Sequence, residues 1–171
     1  EKLFFEKRTV YLWGVVDDNS AKDVVNKLLL LDADKPGAEI KFYINSPGGY
    51  VTSGFSIYDT IKQIKSPVST ICSGLAASMG SLLLSVGEKG RRFIQPHARV
   101  MIHQPSGGAR GQASDIEITA QEILKTKEIS AKILADNCGQ TYDKIMKDFQ
   151  RDHWMDAAES MSYGIVDGIL E

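Results

Sequence analysis

The sequence predicts an α/β domain, because short strand patterns alternate with helix patterns along most of the chain. Runs rich in β-branched and aromatic residues at 9–13, 40–44, 68–72 and 100–102 are typical of buried strands. Strands that alternate with helices favour a sheet with right-handed crossover connections. The 171 residues include 43% hydrophobic residues, which suits one globular domain over 1–171.

Capping patterns predict where the helices begin. The motif Ser20-Ala-Lys-Asp23 predicts the start of the first long helix, because an N-cap serine accepts a hydrogen bond from a free amide. A second box, Ser114-Asp-Ile-Glu117, predicts a longer helix that ends at Gly139. Asp156-Ala-Ala-Glu159 repeats the pattern. Other helices are predicted to end near residue 64, to cover 81–86 and to begin at Thr141.

The helix from Ser114 is unusually long for a small domain. Its first half is apolar on one face, whereas charged residues dominate the second half, among them Lys125, Lys127 and Lys132. Two interpretations stay open from the residues alone. The helix is either a surface helix with a solvated face or an arm that packs on another subunit.

Composition argues against several classes of protein. The 20 basic and 22 acidic residues give a net charge of −2 without a basic stripe, so we expect no nucleic-acid partner. Cys72 and Cys138 are interpreted as reduced thiols. No phosphate loop, metal-ligand spacing or coenzyme fingerprint occurs, so we expect no metal and no cofactor.

No apolar run approaches the roughly 20 residues of a membrane span, and no signal peptide opens the chain. We therefore expect a protein without a membrane partner, located in the cytoplasm or, if a leader has been removed, in an organelle matrix.

Ser78 is the candidate nucleophile. It lies in Ala76-Ala-Ser-Met-Gly80, between a predicted strand and a predicted helix. Small neighbours permit the sharp turn that exposes a serine hydroxyl at the positive end of a helix. Ala76 replaces the first glycine of the G-x-S-x-G pattern, so close helix packing is a competing interpretation of the same residues.

A serine nucleophile needs a base, and His103 is the best-placed histidine. It ends an apolar strand, where a side chain is held rigidly and still faces a cleft. His97 has the setting of a surface loop, and His153 that of a packing or surface residue.

The base in turn needs an acid that orients its ring. Asp156 heads a capping box and Asp167 lies in a Val-Asp-Gly turn. Asp152 has no such local role and follows a helix, so it is the preferred acid.

Two glycine-rich segments can contribute backbone groups. Gly48 and Gly49 can present amides to a developing negative charge, with the Met79 amide as a second donor, although an ordinary strand-to-helix turn has the same residues. The stretch 107–111 is either a flexible loop or a flat edge that pairs with an extended peptide.

An ordered set of motifs over about Val10 to Leu170 resembles the ClpP family of caseinolytic peptidases. Each motif alone is modest, whereas their order is specific. They are Tyr43-Ile-Asn-Ser-Pro-Gly-Gly49, Ser56-Ile-Tyr-Asp-Thr60, Ala76-Ala-Ser-Met-Gly80, Met101-Ile-His-Gln-Pro105, Gly111-Gln-Ala-Ser-Asp-Ile116, Arg151-Asp152 and Tyr163-Gly-Ile-Val-Asp167.

The resemblance implies a ClpP/crotonase-type fold with a protruding handle helix in a handle region of about 105–136. It implies a serine peptidase with Ser78 as nucleophile, His103 as base and Asp152 as orienting acid. The other implied roles are backbone roles. They are an oxyanion hole from Gly49 and Met79, and substrate binding by Gly48 and by a strand containing Gly107, Gly108 and Gly111.

The resemblance also implies partners. Two heptameric rings would stack through the handles into a tetradecamer. An AAA+ unfoldase such as ClpX, ClpA or ClpC would use ATP to supply unfolded proteins, while this chain needs no cofactor. Asp115 and Arg151 are candidates for an inter-subunit ion pair that couples ring assembly to alignment of the triad.

The chain departs from the family pattern in places. Asp156 stands where the family usually has serine, which preserves a helix N-cap. Lys41 and Gln63 replace common aromatic residues of the surface that docks the unfoldase. Two assemblies are therefore considered: a homo-oligomer, and a hetero-oligomer in which a paralogous ClpP subunit forms the ring that docks the unfoldase.

Two competing functions also remain. They are a crotonase-type acyl-CoA enzyme and a catalytically silent ring subunit.

Overall fold

A seven-stranded, mainly parallel sheet forms the centre of the protein in the computed structural model, which describes residues 1–171. The predicted α/β class is confirmed. In chain order the elements are α1 (Lys2–Glu6), β1 (Thr9–Trp13), α2 (Asp18–Asp34), β2 (Ile40–Ser46), α3 (Val51–Gln63), β3 (Val68–Ala77), α4 (Met79–Ser85), β4 (Arg92–Ile94), β5 (Arg99–Ile102), α5 (Ala113–Cys138), α6 (Tyr142–Asp148), β6 (His153–Met155), α7 (Ala157–Tyr163) and β7 (Gly168–Ile169).

Strand β3 organises the sheet because it pairs with three neighbours. The main order is β1-β2-β3-β4-β7, and all of these pairs are parallel. The first half of β3 pairs with β4, and its last three residues pair with β5, which carries β6 as an antiparallel neighbour. Gly74 separates the two halves at φ +72°, a backbone angle that residues with a Cβ rarely adopt.

One cluster of 36 buried residues forms the core between the sheet and the helices. Helix α2 packs on β1, α4 packs on β2 and β3, and α3 lies between the two helices. Alternate residues of β2 are buried, which is the pattern of a strand with one face on the core. None of the seven helices combines the length and the apolar character that crossing a membrane requires.

Helix α5 extends far beyond this core. All of its buried residues lie in the last third, from Ser130 to Cys138. The preceding 17 positions correspond to a rod on the order of 25 Å long. Several apolar side chains there are exposed, namely Ile116, Ile118, Leu124 and Ile129. Exposed apolar residues on a projecting helix favour the arm interpretation over a simple solvated surface helix.

Two of the helix starts predicted from capping boxes are wrong. The N-cap of α2 is Asp17, whose side chain accepts from the Ser20 amide at 2.8 Å, so Ser20 is the third helical residue and completes the box. Helix α5 begins after Gln112 without a side-chain cap, and Ser114 lies inside its first turn. In both cases the helix begins earlier in the chain than the capping pattern predicts.

The predicted starts of α6 and α7 and the predicted end of α5 are confirmed, whereas α4 covers Met79–Ser85 instead of 81–86. Asp156 caps α7 in a box with Glu159, and Thr141 caps α6. Gly139 ends α5 in the left-handed conformation that stops helices.

An ion pair missed at the sequence level joins the base of α5 to the sheet. Arg92 is 3% exposed, and its guanidinium donates to both carboxylate oxygens of Asp167, at 2.9 and 2.7 Å. The same group donates to the carbonyls of Ser85 and Asn137. The hydrogen bond from Arg92 holds the pKa of Asp167 below its usual value, against the opposing effect of burial. The cluster therefore ties β4, α4, α5 and the turn before β7 together.

We expect Asp167→Asn to lower the free energy of unfolding by about 3 kcal/mol at pH 7, because a buried guanidinium loses its counter-charge. A carboxyl whose pKa is lowered by folding stabilises the fold fully above its ordinary pKa of 3.8, and this contribution is lost as the pH falls from there through the lower pKa of the folded state. The difference between variant and parent should therefore shrink in acid. Guanidinium unfolding at several pH values measures this. Asp59→Asn, at an exposed carboxylate without an ion pair, is the control.

Candidate active site

The three residues of the predicted triad follow or precede strands that meet at one edge of the sheet. Ala77 pairs with Met101, and the Ser78 amide donates to the Met101 carbonyl at 2.9 Å. Two parallel strands thus end side by side, with Ser78 after β3 and His103 after β5. Strand β6 runs antiparallel to β5 and brings Asp152, the residue before it, to the same edge.

His103 and Asp152 are paired. The register aligns Ile102 with His153, so the residues one step beyond, His103 and Asp152, face each other. Their Nδ1 and Oδ1 atoms are 3.2 Å apart. The His103 side chain is 27% exposed and that of Asp152 is 60% exposed, so the pair opens to solvent. This arrangement suits an acid that fixes the tautomer and orientation of an imidazole base.

Ser78 occupies a strained turn between β3 and α4. Its φ and ψ are 56° and −121°, and only one other residue with a side chain, Arg8, has a positive φ. Such a backbone costs on the order of 1–3 kcal/mol and persists where the surroundings impose it. The hydroxyl does not cap α4 and forms no hydrogen bond with the His103 ring. The structure thus brings His103 and Asp152 into contact and leaves the serine hydroxyl unengaged.

Gly48 packs directly against this turn. A Cβ on Gly48 would lie 2.8 Å from the Ser78 Cβ and 2.9 Å from the Ala77 carbonyl oxygen. The backbone of the glycine turn is also fixed from the other side. The Val16 amide donates to the Gly48 carbonyl and the Tyr50 amide donates to the Val16 carbonyl, both at 2.9 Å.

No acceptor within the chain is bonded to the amide of Met79, which follows Ser78, or to the amide of Gly49, which follows Gly48. Neither the Gly49 nor the Met79 N–H takes part in the backbone ladder or in a bond to a side chain. Gly49 is exposed, and Met79 is the first residue of α4, where the helix dipole places partial positive charge. Free amides around a serine are the groups that stabilise an oxyanion.

The segment after His103 has no strand partner within this chain. Gly107, Gly108 and Gly111 are exposed and belong to no strand, whereas the family resemblance implies a strand there. An extended segment needs a neighbouring strand for its backbone groups, and this chain provides none beside it. Their suggested part in binding substrate stays a prediction.

The two residues suggested for oligomer contacts are free in this chain. Asp115 lies in the first turn of α5 and Arg151 lies just before Asp152. Both are exposed and neither joins an intrachain ion pair. Their pairing across subunits stays a prediction.

The remaining candidates have structural surroundings. His97 is exposed, and the His153 ring packs against Tyr163 with centroids 5.5 Å apart. Burial raises the pKa of Cys72 and of Cys138 to about 12, so neither is a thiolate nucleophile at neutral pH. No group of three or more His, Cys, Asp or Glu side chains is placed to hold a metal ion.

The chain matches a known protein family over its whole length. The family model described as Clp protease matches residues 1–171, which is the entire length of the chain.

Gly48 offers a test of the turn that presents Ser78. We expect Gly48→Ala to slow covalent labelling of Ser78 by a fluorophosphonate at least about 100-fold, because displacement of reacting groups by about 1 Å has that effect. Gly14→Ala is the matched control, since Gly14 has a similar φ of +89° but no atom within 4 Å of an added Cβ. Equal labelling of the two variants would show that the contact with Ser78 is unimportant.

Proposed function

Because this chain belongs to the Clp protease family, we propose that it is the serine endopeptidase subunit of an ATP-dependent protease and cleaves unfolded polypeptides to short peptides. The observation that carries the proposal is the His103–Asp152 contact at the sheet edge where the strained Ser78 turn lies. A base with an orienting acid beside an unengaged serine suits acyl transfer through a covalent intermediate.

The proposed reaction has two halves. His103 accepts the Ser78 proton as Oγ attacks the peptide carbonyl, and the Gly49 and Met79 amides stabilise the oxyanion. The imidazolium then protonates the departing amine, which leaves an acyl ester on Ser78. Water, deprotonated by His103, hydrolyses this ester and restores the serine. Asp152 stays ionised throughout and stabilises the imidazolium through Nδ1.

Alignment of the triad is proposed to depend on assembly. His103 begins the exposed segment that leads to α5, and the segment lacks a strand partner within the chain. A neighbouring subunit or a bound peptide would supply that partner through backbone pairing, with Gly107, Gly108 and Gly111 permitting close approach and Gly48 lining the site. The serine hydroxyl would then meet the His103 ring.

Exposed apolar surfaces support the proposed assembly. The projecting part of α5 presents Ile118 and Leu124, which supports handle-to-handle stacking of two seven-membered rings into a tetradecamer. A groove of about 830 Å³ lies between α1, β1 and α2 and is lined by Phe4, Tyr11 and Trp13 among others. An AAA+ unfoldase in the cytoplasm would use ATP and feed substrate, while this chain would use no cofactor.

The first test of the proposal is intact mass after fluorophosphonate treatment. We expect one adduct on the parent and on Ser106→Ala, an exposed serine near His103, and none on Ser78→Ala. His103→Ala should lower the labelling rate by about 10³-fold or more, because the serine loses its base. An unlabelled parent, alone and with an unfoldase or a paralogous subunit, would contradict the peptidase proposal. Coenzyme A binding would then favour the acyl-CoA alternative.

Charge reversal tests the proposed inter-subunit pair. We expect Arg151→Glu to weaken ring stacking and peptidase activity together, and the double variant Arg151→Glu/Asp115→Arg to recover both at least partly. Analytical ultracentrifugation and peptide hydrolysis give the two measurements. Lys147→Glu, also an exposed cation with no ion pair, is the control. An Arg151→Glu protein with unchanged assembly and activity would rule out the pair.

A further inference from the structure

The acid of the proposed triad has little direct support of its own. The Asp152 side chain is 60% exposed, and its only hydrogen bond is the one with His103. Asp152 ends the four-residue turn 149–152, which joins α6 to β6. Its position therefore depends on how the two ends of this turn, Asp148 and His153, are held.

One buried side chain contacts both ends of the turn. Tyr163, the last residue of α7, is 8% exposed. Its hydroxyl donates to Asp148 Oδ2 at 2.6 Å, before the turn, and its ring packs at 41° against the His153 ring, after the turn. The Tyr163 side chain thus fixes the separation of Asp148 and His153, which flank the turn.

The surroundings strengthen the contact with Asp148. Lys144 donates to the same carboxylate oxygen at 3.2 Å, and its ammonium lies 5.5 Å from the Tyr163 ring centroid. Burial raises the pKa of Asp148, but the hydrogen bonds from Tyr163 and Lys144 outweigh burial and hold it below its usual value. The acceptor is therefore ionised at neutral pH, and hydrogen bonds to an ionised acceptor are the stronger kind.

The turn is also tied to the base. Phe149 is 1% exposed, and its carbonyl accepts from the amide of Gln104, the residue after His103, at 3.1 Å. Movement of the turn would consequently shift the acid relative to the base.

We propose that Tyr163 is a positioning residue for Asp152, acting by clamping both ends of the turn that carries the acid. The inference rests on the proposed serine peptidase function and assigns a role to a residue outside the proposed triad. Loss of the hydroxyl would release Asp148, while the ring would still support His153. The position of Asp152 would then be less well defined, although the protein would still fold.

The test is peptide hydrolysis by Tyr163→Phe in the assembled protein. We expect kcat to fall about tenfold with KM within about twofold, since the loss acts on the transition state. The acid limb of the pH–rate profile should move in the direction that Asp152→Asn moves it. Tyr58→Phe is the matched control, because Tyr58 is another buried tyrosine with a hydrogen-bonded hydroxyl, in α3 and outside the turn. It should leave kcat and the pH profile unchanged.

A double-mutant cycle separates positioning from general destabilisation. In an Asp152→Asn background, Tyr163→Phe should cause little further loss, because its effect passes through the acid. His153→Ala should resemble Tyr163→Phe, and His153→Phe, which restores a ring, should recover activity. Equal losses in both backgrounds, or identical profiles for Tyr163→Phe and Tyr58→Phe, would overturn the proposal. A parent protein without Ser78 labelling would instead overturn the peptidase function itself.

Discussion

The pairing of β3 with two successive neighbours is the constraint on which the rest of the structure depends. Residues 70–72 of β3 pair with β4, and after Gly74, which has a positive φ, residues 75–77 pair with β5. This places the ends of β3 and β5 at one edge, and β6 returns to the same edge. Register therefore selects which side chains meet there, because parallel strands align their carboxyl ends.

Backbone strain at the candidate site is located at Ser78, which adjoins the glycine turn at Gly48. Ser78 is held at a backbone angle unfavourable for its side chain, and Gly48 fills the space beside it without a Cβ. The surrounding strands and the Val16 bridge hold both turns, so the packed sheet stabilises an arrangement that the local chain would not adopt alone. The distinctive geometry of the site is thus a property of tertiary structure.

The sequence predicted the elements with strong periodicity and missed those too short to show any. Strand β1 and the end of α5 at Gly139 are where the patterns indicated, while β4, β6 and β7 have three residues or fewer and depend on tertiary pairing. In the candidate site, local sequence signals identified Ser78 as the candidate nucleophile, and Asp152 was chosen because Asp156 and Asp167 had local structural roles. The hydrogen bond of Tyr163 with Asp148 joins positions 15 residues apart, and no capping or periodic pattern records such contacts.

The division of α5 into an anchored end and a projecting end has a consequence for evolution. Residues 113–129 contribute no buried side chain to the chain's own core, whereas 130–138 are bound to it through Leu134 and the carbonyl of Asn137. Substitutions in the projecting part therefore have little effect on the folding of the single chain and act mainly on association between subunits. Selection can retune the strength and specificity of subunit contacts there without passing through unstable intermediates, which few surfaces of a compact domain allow.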